Sequence, residues 1–288
     1  MSLFRKKPKS QGEQLGAWRI DAIPSRDFGA EIDALLAEVD VPAKRGPKGW
    51  EVGLDGGPLL LNWLDEDRVL TGLAFLADTH DAGELTDLLR HNLDPRVVWY
   101  ALGDAEEDSL AARFRLPFDT FDRAAALLAI ETTAALLGDE AVAGRARALR
   151  GGPAGEMEEQ GADARTREAL AAGLEAAGLS VTDAGERLEV QVERGVVQAI
   201  PRDNGESVMF MHELEYGDGT EHVPMLRWML ESSDWSGARL GLAPLPGGEG
   251  AFAACVVSAG DLQPQAAAWG VEQVLRLADA YDKSTGRA

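Results

Sequence analysis

Few groups in this chain are equipped for chemistry. Its 288 residues include four histidines, His80, His91, His212 and His222, and one cysteine, Cys255. No two histidines stand at an HxH or HxxxH spacing, so no short segment offers paired imidazoles to a metal. His80 and His222 both fall just before a predicted helix, a recurrence read as a helix-start feature. Cys255 lies inside the apolar run AFAACVVSA, without the cationic or basic neighbours that activate a thiol, and reads as buried and inert. Neither G-x-S-x-G nor another nucleophile context occurs. The stretch GWEVGLDGGPLLLNW at 49–63 raises the question of a phosphate cradle. A Walker loop needs lysine and a hydroxyl after its glycines, whereas Pro58 and Leu59 follow here. A dinucleotide loop leads into a helix, and this one leads into another strand. Asp65 and Asp67 lack the glycine and distal glutamate of a calcium loop. The acidic runs at 104–108, 156–160 and 212–222 read as solvated turns. No residue is assigned a catalytic, cofactor-binding or metal role, and the expectation is a non-enzyme.

The elements that would position any site are written twice. WEVGLDGG at 50–57 aligns with LEVQVERG at 188–195 at a constant offset, bringing Glu51 onto Glu189, Val52 onto Val190 and Gly57 onto Gly195. The same register runs back to Ile32, Leu36 and Val41, which fall on Leu170, Leu174 and Leu179. In each copy a helix of apolar spacing is followed by three short strands. These lie at about 50–55, 58–64 and 68–77, then 187–193, 195–200 and 206–215, with Asp-Asn-Gly at 203–205 as a tight-turn signal. A second helix follows, in AGELTDLLRHNL and VPMLRWMLESS, then two strands and one long closing helix. Asp119 and Asp261 are the expected N-caps of the closing helices. The register slips by a few residues near YGDGTEH at 216–222.

The predicted fold class is therefore α+β: two tandem α-β-β-β-α-β-β-α units, each an antiparallel sheet with helices on one face. The expected division is an N-terminal extension at 1–27, repeat 1 at 28–149, a Gly/Pro/charge-rich linker at 150–163 and repeat 2 at 164–285.

Charge limits the partners. Lys plus Arg number 28 against 49 Asp plus Glu, a net charge of −21. Such a surface repels phosphate backbones and anionic lipid, which excludes direct nucleic-acid binding and favours a basic protein partner. The basic start MSLFRKKPKS is followed by no apolar signal core, and no run of 18 apolar residues appears, so a cytoplasmic location without membrane association is expected. Trp63, Trp99, Trp228 and Trp235 sit in or beside predicted elements, and Met209 and Met211 share one strand face. Core packing is their ordinary use, but Trp and Met are also interface anchors, so these six are the candidate partner-binding residues.

The order of elements resembles the YbjN family and the type III secretion chaperones that share its fold. The likeness rests on GWEVGLDGGPLLLNWLDEDRVLTGLAFL, LRHNLDPRVVWYALGD and LAARFRLPFDTFDRAAALLAIETTAAL, with copy two keeping the architecture in looser sequence. The resemblance implies a small acidic protein that dimerises and holds a partner polypeptide, with no catalytic residues to carry over. The leading expectation is thus a chaperone-like or adaptor protein, homodimeric, that docks another protein on sheet faces and an acidic rim; a nucleic-acid-handling client would suit its charge. The alternative is a ligand-sensing module with a small molecule between the repeats.

Overall fold

The computed structural model describes residues 27–47, 49–64, 69–78, 82–93, 98–102, 109–117, 123–151, 159–202, 207–215, 223–232, 238–246, 248–258 and 264–285. Among them repeat 1 runs α1 (Phe28–Val39), β1 (Ala43–Arg45), β2 (Gly49–Leu54), β3 (Gly57–Leu64), β4 (Val69–Asp78), α2 (Ala82–His91), β5 (Trp99–Leu102), β6 (Ser109–Pro117), α3 (Arg123–Leu136) and α4 (Glu140–Arg150). Repeat 2 runs α5 (Glu159–Ala176), β7 (Ser180–Asp183), β8 (Leu188–Val192), β9 (Gly195–Arg202), β10 (Ser207–Leu214), α6 (Val223–Ser232), β11 (Arg239–Leu245), β12 (Gly248–Ser258) and α7 (Pro264–Ser284). The strands form two six-stranded antiparallel sheets of one topology, β1-β2-β3-β4-β6-β5 and β7-β8-β9-β10-β12-β11.

The α+β class and the two units are as expected, and the differences have local causes. Each meander has four strands rather than three. The added β1 and β7 are short and almost wholly exposed, so burial writes no alternation into their sequence. The single closing helix of repeat 1 is two. Gly138, at φ +80, ends α3, and Asp139 starts α4 by accepting from the Val142 amide at 3.0 Å. Glu131 on α3, nearly buried, then accepts from Arg147 at 2.7 Å and from Arg150 at 3.2 Å, fastening the helix pair. The stretch expected as linker is helical from Glu159 onward. Asp119, Asp261 and the turn at 203–205 lie outside the described residues.

α1 shows why these segments fold where they do. Asp27 caps it by accepting from Ala30 at 3.0 Å, and Ile32, Leu35, Leu36 and Val39 recur at helical spacing and are all buried. At the far end Asp40 is left-handed, and Arg145 of α4 donates to the carbonyls of Val39 and Asp40, satisfying groups the helix leaves over.

The two cores are related by an exchange of bulk. Gly72 on β4 lies opposite Phe114 on β6, and the equivalent pair in repeat 2 is Phe210 on β10 opposite Cys255 on β12. The aromatic ring has changed strands, and the small residue has moved to its partner. A Cβ on Gly72 would sit 2.1 Å from the Phe114 ring, so the glycine is the space the ring occupies. Cys255, fully buried opposite Phe210, is the corresponding small side chain.

Candidate functional site: the repeat seam and the outer sheet face

Three of the four glycines at 49–57 have a structural reason, a tight contact at Gly49 and Gly56 and a positive φ at Gly57. Gly57 has φ +139 and its counterpart Gly195 φ +121, each beginning the return strand of a hairpin with a two-residue turn. A Cβ on Gly56 would meet the Leu137 carbonyl oxygen at 2.1 Å, and one on Gly49 the Leu61 carbonyl at 1.8 Å. Asp139 accepts from the Asp55 amide at 3.1 Å, tying this turn to the start of α4. The turn's neighbours are thus a carboxylate and a carbonyl, both repulsive to phosphate.

The repeats meet along their β5 and β11 edges. α2 packs on α6 and on β11, while α6 packs reciprocally on β5. Leu85, Leu89 and Leu102 of repeat 1 belong to the core of repeat 2, and Met209, Ala254 and Val256 of repeat 2 belong to the core of repeat 1. α3 also touches β12. Each unit therefore finishes its neighbour's core.

At the centre is Asn92, just past α2 and fully buried. Its Oδ1 accepts from the Tyr100 amide at 2.8 Å, and its Nδ2 donates to the carbonyls of Tyr100 at 2.9 Å and Leu240 at 3.2 Å. One side chain thus completes the backbone of both edge strands. Arg239, 1% exposed, donates from Nε to the Asn92 carbonyl, and its guanidinium carbon lies 6.0 Å from the centre of the Trp99 ring. At the rim Arg90 donates from Nε to Glu249 at 2.8 Å, and this carboxylate raises the guanidinium above its ordinary value.

The six candidate partner-binding residues are not gathered in one place. Trp99 is buried in the seam, and Met209, on the face of β10 opposite Phe210, is buried under repeat 1. Met211 is half-buried beside the same core, and Trp228 is half-buried with its ring 6.0 Å from that of Tyr281. Trp63 lies in β3 opposite Leu70, with its side chain outside the described set, and Trp235 lies outside the described residues.

On the outer face of the first sheet lie apolar residues that the sequence did not single out. The register puts Lys44, Glu51, Leu60, Leu73, Arg113 and Trp99 in one row across it. Leu60 and Leu73 are half-buried, and Phe75, two residues along β4, is 48% exposed. The signal was present in GPLLLNWL and VLTGLAFLAD, which are apolar at outward as well as inward positions.

Burial pushes the Cys255 thiol up to about 12, so it is protonated at neutral pH. His212 is buried with Nδ1 at 2.9 Å from the Val196 carbonyl, and His80 and His222 lie outside the described residues. Among the described residues no group of three or more His, Cys, Asp or Glu side chains is placed to hold a metal ion. Among them, too, no helix is long and apolar enough to cross a membrane. Compared with protein-family models, with curated proteins and with solved structures, the chain matches none.

Proposed function

We propose that this chain is a non-enzymatic, chaperone-like or adaptor protein that docks a partner polypeptide on the outer face of its first sheet. The carrying observation is the strip Leu60, Leu73 and Phe75, of which Phe75 is the most exposed large apolar side chain in the described chain. A contiguous apolar strip open on a sheet face suits a contact site. In the row Glu51 stands beside Leu60 and is flanked by Lys44, and Arg113 stands beside Leu73, so the face itself carries both signs of charge. The net charge of −21 belongs to the chain as a whole, and its field favours a partner carrying apolar anchors and basic flanks. The resemblance to the YbjN and secretion-chaperone fold points the same way, as does the homodimer it implies, in which a second copy would use this face. A cytoplasmic setting fits the reading.

The test is capture of the tagged full chain from cell extract at low salt, beside a Phe75→Ser variant. The wild-type chain is expected to retain a polypeptide that the variant loses. If both return as the same bare species, the reading fails. Light scattering of the pure protein addresses the dimer: a monomer mass at every concentration would end that part.

A further inference from the structure

We infer that the seam is selective for unlike repeats: repeat 2 is built to pair with repeat 1 and cannot pair with itself. The two edge strands place Trp99 and Arg239 at equivalent positions. Trp99 faces Arg113 one residue before Phe114, and Arg239 faces Ala254 one residue before Cys255, while Phe114 and Cys255 are themselves equivalent. These equivalent residues touch one another across the seam, with the guanidinium carbon 6.0 Å from the ring centre. That contact, with α2 packed on β11 and α6 reciprocally on β5, is the arrangement a local two-fold relation between the repeats would give.

At the axis of such a relation a symmetric pairing brings each residue against its own copy. A pair of second repeats would bury Arg239 against Arg239, two like charges at a position only 1% exposed. The pairing in this chain puts the cation over an indole face and against the Asn92 carbonyl. Unlike the client-binding proposal, this inference concerns the seam alone, so either can fail without the other. It makes the chain its own first partner and confines any client or second copy to surfaces outside the seam.

The experiment starts from the full chain with a protease site inserted in 152–158, between the repeats. After cleavage of the folded protein the halves are expected to co-elute as one 1:1 species of uncut mass by native mass spectrometry. Halves that separate on dilution, or that sort into like pairs, would overturn the inference. Two variants guard against mere loss of packing. Trp99→Leu, cleaved in the same way, is expected to keep the 1:1 species. Trp99→Arg, which sets one guanidinium against another, is expected to lose it at least tenfold more readily on dilution, with circular dichroism confirming that the halves stay folded. Equal retention by the two variants would refute charge selectivity.

Discussion

The side-chain amide of Asn92 donates to the main-chain carbonyl of Leu240, 148 residues later in the chain, at 3.2 Å and in a fully buried setting. The same side chain satisfies both backbone groups of Tyr100. Asn92→Leu keeps the volume and removes the partner of three backbone groups, the buried Leu240 carbonyl and the half-buried amide and carbonyl of Tyr100. A buried group left without a partner costs about 1–3 kcal/mol, and the Leu240 carbonyl is such a group, so a loss of at least about 1 kcal/mol is expected. Urea unfolding followed by tryptophan fluorescence should show a lower midpoint. An unchanged midpoint would mean that the bridge contributes nothing.

The exchange of bulk between the cores predicts coupled mutations. Gly72→Ala drives a methyl into the Phe114 ring and is expected to destabilise by about 1–3 kcal/mol, the usual cost of overpacking. Gly72→Ala with Phe114→Leu should be less damaged than the sum of the single changes. Strict additivity in thermal unfolding would show that the two sites do not share space.

Cys255 gives a dependence on alkaline pH. Its folded-state value is raised to about 12, whereas an unfolded thiol titrates near about 8.5. Between these values the unfolded chain has released the proton and the folded chain retains it, so stability falls as pH rises through that window. Cys255→Ala should flatten the alkaline side of the stability profile while lowering stability at neutral pH. Thiol reagents should label the native protein only at the rate of unfolding. Prompt labelling at pH 8 would contradict the buried placement.

The hairpin glycines separate by role. Gly53 has only ordinary contacts available to a Cβ, whereas Gly56 has the Leu137 carbonyl in the way and Gly57 has φ +139. Gly53→Ala is expected to be nearly neutral. Gly56→Ala and Gly57→Ala should each cost about 1–3 kcal/mol, from a clash and from a backbone region other residues avoid. Inorganic phosphate should raise the melting temperature of none of the three. A saturable rise would reopen the phosphate reading.

The sequence made some of this legible and hid the rest. Gly57 and Gly195 recur because both hairpins need the same backbone, and Ile32 and Leu36 recur as Leu170 and Leu174 because both first helices bury one face. Such constraints act within a few residues, so they leave a periodic trace. β1 left none, since all three of its residues are exposed. The break at Gly138 was masked by apolar helix formers on its N-terminal side. Asn92 and Arg239 look like ordinary surface residues in their local segments. What buries them is a neighbour 147 residues away, and no local pattern encodes that. A sheet face was expected to serve for docking, but its residues were not legible for a different reason: Phe75 reads as core when apolar character is taken as evidence of burial, a rule that holds only in one direction.

Leu85 and Leu89 lie on a helix of the first repeat, yet they complete a core otherwise made largely of residues from 170 to 281. On the ribosome, at about 5–20 residues per second, the segment that covers them follows on the order of ten seconds or more later. During synthesis the first repeat therefore emerges with an apolar helix face in water, open to trigger-type holding factors and to proteases. Stalled chains ending near residue 158 should be cleaved around Leu85 by limited proteolysis, whereas released full-length protein should resist.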